Sequence, residues 1–168
     1  SEVMKRATVD KDNHVADPLF FDVPIARLLD KDYARQQAAA IERGEVANVT
    51  RYGAESESKD TTHVTVVDAE GNAVSMTHSL GMPSGVITDG LGFMYNGCMG
   101  VFDPRPGRPG SIAPGKARFS SLAPTIVFKG DDPYIVLGAP GGTYIAMGIL
   151  QVILNVMDFG MSMSDAIA

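Results

Sequence analysis

The chain has 168 residues, 45% hydrophobic and 20% charged, with no low-complexity tract, so one globular domain with a sizeable core is expected. Fourteen Lys and Arg against 20 Asp and Glu leave a net charge of −6, which argues against a nucleic-acid binder, because phosphate backbones call for a basic face. The single cysteine, Cys98, excludes an internal disulfide framework and a multi-cysteine zinc site.

Residues 1–22 are mixed and polar, with a turn expected at Asp17-Pro18. No apolar run in residues 1–11 marks a secretory signal, and no compartment follows from the sequence. Between Pro24 and Arg43 the pattern is helical. Ile25, Leu28 and Leu29 share a face, and a second helix runs from an Asp30 or Asp32 cap through Ile41 to a stop at Gly44. Residues 45–59 are polar with little periodicity and read as an exposed linker, a natural place for a nick.

From Thr62 the period becomes two. His63 to Val67 reads as a strand, Asp68 to Asn72 as a hairpin turn, and Ala73 to Ser79 as the returning strand. A third short strand is expected at Gly92 to Tyr95. Residues 103–118 hold four prolines and three glycines and form a loop, whose Arg105, Arg108, Lys116 and Arg118 are either a greeting for an anionic substrate or a solvated surface. A second hairpin pairs Thr125–Lys129 with Tyr134–Leu137. A helix then runs from Thr143 to about Asp158. It is apolar nearly all round and is expected to be buried. Its apolar stretch, Tyr144 to Met157, falls short of the ~20 residues of a membrane span. Ser164-Asp165-Ala166 signals a further helix just before the chain stops at Ala168, so both ends read as cuts in a longer protein. Hairpins covered by a helix predict an α+β fold.

Three stretches can carry chemistry. Asp60-Thr61-Thr62-His63 puts threonines at the mouth of a strand directly after the linker. Cleavage between Asp60 and Thr61 would give Thr61 a free α-amine, which titrates near ~8 and can take the proton from its own hydroxyl. Taken alone, two threonines opening a strand are equally what β-branched residues do without any chemistry. Gly138-Ala139-Pro140-Gly141-Gly142-Thr143 carries a strand through a glycine loop into a helix. Backbone N–H groups there can hold an oxyanion, although a plain turn before a helix looks the same. The loop lacks the motifs of a nucleotide phosphate cradle. Ser120 and Ser121, just before a strand, can bind a carboxylate or simply shape a turn. His14, His63 and His78 lack metal-ligand spacing, so neither metal nor cofactor is expected. His63 and His78 suit core or surface positions on paired strands, and Cys98 suits a small buried hydrophobe.

Together these stretches resemble the γ-glutamyltranspeptidases of the N-terminal nucleophile hydrolase superfamily. The matching residues are Thr61-Thr62-His63, Val66-Val67-Asp68, Gly71-Asn72-Ala73-Val74, Ser120-Ser121, Pro124-Thr125-Ile126-Val127 and Gly138-Ala139-Pro140-Gly141-Gly142, in order and spacing. Asp17-Pro18, Val23-Pro24 and Asp32-Tyr33-Ala34 resemble the end of that family's large subunit. The resemblance implies a four-layer αββα sandwich and self-cleavage between Asp60 and Thr61. Residues 1–60 would then close the large subunit, and 61–168 would form most of the small one.

The resemblance further implies Thr61 as nucleophile of a γ-glutamyltransferase or hydrolase, with Ser79 where the family has a supporting threonine. Gly141 and Gly142 would form the oxyanion hole, and Ser120 and Ser121 would hold the substrate carboxylate. The partners implied are a small-molecule amide and the remainder of the large subunit. Three positions depart from the pattern. The residues that bind a γ-glutamyl ammonium in the family align with Gly81, Cys98 and Val101, none of which offers a strong acceptor. That favours, as the alternative, an acyl group of dicarboxylate type without the amine. A third alternative is an inactive, unprocessed fragment. Residues 103–118 are also shorter than in members with a lid, which implies an open cleft.

Overall fold

A computed structural model describes residues 1–50 and 61–168. The expected linker falls largely outside these residues, as does Asp60. The described residues divide into two compact units, not the single domain expected: residues 1–50 with Val101–Phe119, and residues 61–100 with Ser120–Ala168.

The first unit opens with helix α1 (Glu2–His14), within the mixed, polar stretch for which no helix is expected from sequence. Its signal is local. Ser1 caps it by accepting from Met4 N–H, and Glu2 pairs with Lys5. No residue of α1 is buried, so no apolar stripe announces it. A short turn of helix, α2 (Ile25–Leu28), precedes α3 (Lys31–Glu42). Asp30 caps α3 through the N–H groups of Asp32 and Tyr33, as one of the two expected caps. Arg6 of α1 donates to Gln37 Oε1 of α3 at 2.8 Å, and Tyr33 OH reaches Asp10 at 2.8 Å.

Residues 103–118 form a loop, as expected, and the loop is tied back on the N-terminal segment. Asp17 is buried and accepts from Ala117 N–H at 2.7 Å and Leu19 N–H at 3.0 Å, which together hold its carboxyl below the usual range. Lys11 lies over the Phe119 ring and Lys116 over Phe20. These ties join residues 101–119 to the N-terminal segment within the first unit.

The second unit consists of three antiparallel hairpins and two helices. Strand β1 (Thr61–Val67) pairs with β2 (Ala73–Ser79) from Val67↔Ala73 to Thr61↔Ser79. The turn between them is held by Asp68, which accepts from Glu70 N–H, Asn72 N–H and Asn72 Nδ2. Strand β3 (Pro83–Ile87), not expected from sequence, pairs with β4 (Met94–Asn96). Proline at its first position and a register shift between Pro83 and Ile87 obscure its period. Strand β5 (Thr125–Lys129) pairs with β6 (Asp132–Leu137), two residues longer than expected because Pro133 lies at a bulge opposite Phe128.

A 3-10 turn at Gly142–Tyr144 leads into α4 (Ile145–Met157), and α5 (Met163–Ile167) follows from a Ser162 cap. The most buried apolar side chains of this unit are Ile135, Ile145, Ile149 and Ala166. α4 is not buried all round: Leu150 is 40% exposed and Met157 53%. Helices and antiparallel hairpins make the fold α+β, as expected. Among the described residues no helix is long and apolar enough to cross a membrane.

Candidate active site

The β1–β2 hairpin has two chemically distinct faces, because side chains alternate along a strand. One face carries Thr61, His63 and Thr65 opposite Ser79, Thr77 and Ser75. The other carries Val64 and Val66 opposite Met76 and Val74, each 42–54% exposed, with Thr62 opposite His78 at its end. The polar face is the more covered one.

Three rungs of polar pairs cross that face. On the first, Thr61 Oγ1 lies 3.0 Å from Ser79 Oγ, and Ser79 Oγ accepts Gly81 N–H at 2.9 Å. With one lone pair taken by that N–H, the Ser79 hydroxyl is oriented to donate toward, or accept from, Thr61. On the second, His63 Nδ1 lies 2.9 Å from Thr77 Oγ1, while Nε2 lies 3.0 Å from Thr65 Oγ1. On the third, Ser75 Oγ donates to Leu137 O at 3.0 Å, tying β2 to the end of β6.

The segment after β2 brings two further candidates together. Gly97 N–H donates to Leu80 O at 3.0 Å and Met82 O at 2.7 Å, and the Cys98 thiol donates to Leu80 O at 3.5 Å. Gly81 has φ +71°, and a Cβ there would lie 2.9 Å from Cys98 Sγ. The sulfur thus occupies the space that a side chain at position 81 would enter. Thr61, Ser79, Gly81 and Cys98 form one continuous patch. Val101 ends the 3-10 turn Cys98–Val101 and belongs to the other compact unit.

The glycine loop leaves β6 at Gly138. Gly141 (φ 132°) caps the 3-10 turn that Gly142 (φ 56°) opens. Among the described residues neither the Gly141 nor the Gly142 N–H meets an acceptor, and Cβ atoms built on both would meet nothing within 4 Å. Such N–H groups can receive an anionic oxygen. Ser120 is exposed, and its hydroxyl accepts Leu122 N–H at 3.2 Å, as in a turn. Ser121 is half-buried beside it.

Three of the four cations of residues 103–118 are engaged within the loop and its end. Arg105 donates twice to Asp103, Lys116 donates to the carbonyls of Pro109 and Ser111, and Arg118 donates to Phe119 O. The Arg105 guanidinium holds the Asp103 carboxyl at about 2. No cluster of metal-ligating side chains occurs among the described residues. His63, expected to take a core or surface position, stands two residues after Thr61 on the same face.

A family model described as gamma-glutamyltranspeptidase matches residues 1–168. The acylase ACY 1 proenzyme of Pseudomonas sp. (strain SE83) is 43% identical over 169 residues, covering 99% of this chain and 30% of its own length. The glutathione hydrolase proenzyme of Pseudomonas aeruginosa is 36% identical over 180 residues, covering 100% of this chain and 32% of its own. A crystal structure of cephalosporin acylase from Bacillus halodurans matches 95% of this chain with 29% of its own, at 29% identity and a TM-score of 0.75. The chain belongs to the gamma-glutamyltranspeptidase family, as its motifs implied. It spans 30–32% of the length of these two relatives.

Proposed function

We propose that the protein containing this chain is a self-processing amide hydrolase of N-terminal nucleophile type, with Thr61 as nucleophile. The observation that carries the reading is the hydroxyl pair at the start of β1, Thr61 Oγ1 to Ser79 Oγ, with Gly81 N–H fixing the serine. While the Asp60–Thr61 bond is intact, the Thr61 nitrogen is an amide and cannot act as a base. Processing begins when Thr61 Oγ1 attacks the Asp60 carbonyl carbon. The C–N bond breaks as the nitrogen takes up a proton, and water hydrolyses the resulting ester. The free amine, titrating near ~8, then takes the Oγ1 proton.

Turnover repeats the chemistry on an external amide. Thr61 Oγ1 adds to the substrate carbonyl, and the N–H groups of Gly141 and Gly142 stabilise the oxyanion. The amine leaves with the proton, and water or an amine acceptor releases the acyl group. Ser120 and Ser121 hold the far carboxylate. The complete protein takes the αββα arrangement of its superfamily. Its division falls at 60/61, and the remainder of the large subunit is the partner. Support for that partner is the face of Val64, Val66, Val74 and Met76, which is apolar and exposed.

The acyl group is the point of choice. The sequence of motifs favours γ-glutamyl, as in the relatives named glutathione hydrolases. A specific observation favours the second reading, a glutaryl-type acyl group. Cys98 Sγ fills the space beside Gly81 where the family's ammonium-binding side chain would stand, and the acylase relative is the more similar of the two. Glutaryl and γ-glutamyl anilides compared on the processed protein decide between them. Glutaryl turnover equal to or above γ-glutamyl turnover is expected from the patch. A γ-glutamyl preference of tenfold or more would return the assignment to a γ-glutamyl enzyme.

A further inference from the structure

His63 lies on the same face of β1 as Thr61, and the proposed chemistry does not use it. Its ring lies directly against the backbone of Gly138, so closely that a methyl group at 138 would overlap the ring atoms Cε1 and Nδ1. Only glycine can stand there while the ring keeps its place. Both ring nitrogens are engaged, Nδ1 with Thr77 and Nε2 with Thr65. Hydroxyls donate and accept, so both bonds survive either tautomer and the ring plane stays fixed.

The next rung reinforces the contact from the other strand. Ser75, opposite Thr65, donates to Leu137 O, the residue before Gly138. The departure point of the glycine loop is therefore held by two consecutive rungs. Rungs on one face are about 7 Å apart, so Gly138 sits one rung from Thr61. The three residues from Gly138 to Gly141 span up to about 10 Å, enough to carry the Gly141 N–H back over the first rung.

We infer that His63 is a positioning residue: its ring is the spacer that sets the distance between the Thr61 strand and the glycine loop, through contact with Gly138. This rests on the reading of Gly141 and Gly142 as oxyanion donors. Donors act on the transition state, so misplacing them lowers kcat and leaves substrate affinity nearly unchanged.

The test uses the complete, processed protein and a glutaryl anilide. His63→Ala is expected to lower kcat ~10- to 100-fold with KM within about threefold. His63→Phe keeps a ring of similar thickness without the hydrogen bonds and is expected to recover much of that loss, which a purely hydrogen-bonding or folding role would not. Gly138→Ala alone is expected to lower kcat, and Gly138→Ala with His63→Ala is expected to be less impaired than the product of the two singles. A kcat for His63→Ala within twofold of the unsubstituted protein, or strictly multiplicative effects in the double variant, would overturn the inference. Loss of turnover in Thr61→Ala, alongside an unaffected His63→Ala, would leave the nucleophile standing and remove only the spacer. Turnover retained in Thr61→Ala would overturn both.

Discussion

Ser79 Oγ is the atom that most directly conditions Thr61, because it touches the threonine hydroxyl on one side and Gly81 N–H on the other. Ser79→Ala removes both contacts at once. Its kcat is expected to fall ~10- to 100-fold, while Ser79→Thr, which restores the hydroxyl, is expected to stay within a few-fold. Steady-state kinetics on an anilide checks this, and equal activity for Ser79→Ala would show that the pair is only structural. Thr61 and the glycine loop stand out as candidates from residue type, order and spacing, and Ser79 only through the family resemblance. The spacer role proposed for His63 leaves no such mark, because a histidine on a strand has many uses. Only the closeness of Gly138, 75 residues later in the chain, distinguishes them. The fit of Cys98 against Gly81 was hidden for the same reason: the two positions could be aligned with the family, but their mutual exclusion is a packing fact.

At the scale of elements, the β1–β2 hairpin was easier to see than helix α1. The β1–β2 hairpin has an unbroken period of two and an Asp-to-Asn turn; β2 keeps the expected bounds and β1 begins two residues earlier than expected, at Thr61. Helix α1 has no buried stripe and rests on its Ser1 cap and surface pairs, so periodicity could not find it. Helix α4 misled in the opposite sense. Its composition calls for burial on all sides, while only Ile145 and Ile149 are fully covered.

The loop of residues 103–118 carries a pH prediction. Its Asp103 carboxyl, held at about 2 by Arg105, contributes stability above the ordinary carboxylate range near ~4 and loses it as pH falls through about 2. The pair is part-exposed, with side chains 41% and 21% accessible, so solvent screening limits its worth to about 0.5–1 kcal/mol. Hydrogen exchange at the Arg105 amide, which also donates to Asp103, is expected to stay protected from pH 7 to 4 and to lose protection toward pH 2. Asp103→Asn is expected to lower protection at pH 7 and flatten the profile. An unchanged profile in that variant would remove the pair from the loop's stability.

At the scale of the whole molecule, composition suggested one domain and the structure has two units, because residues 101–119 are drawn to the N-terminal segment through Asp17, Phe20 and Lys11. Such long-range ties leave no local trace in a sequence. Family membership, in contrast, was fully legible, since the motifs are short, ordered and spaced along nearly the whole chain. What the family membership leaves open is whether Thr61 becomes an N-terminus. Intact-mass measurement of the complete protein under denaturing conditions, after prolonged incubation and beside a Thr61→Ala control, tests this most directly. The expected result is two fragments, the second beginning at Thr61, and a single uncleaved chain without turnover for Thr61→Ala. The absence of any fragment beginning at Thr61, or cleavage that persists in Thr61→Ala, would contradict the assignment of Thr61 as the nucleophile.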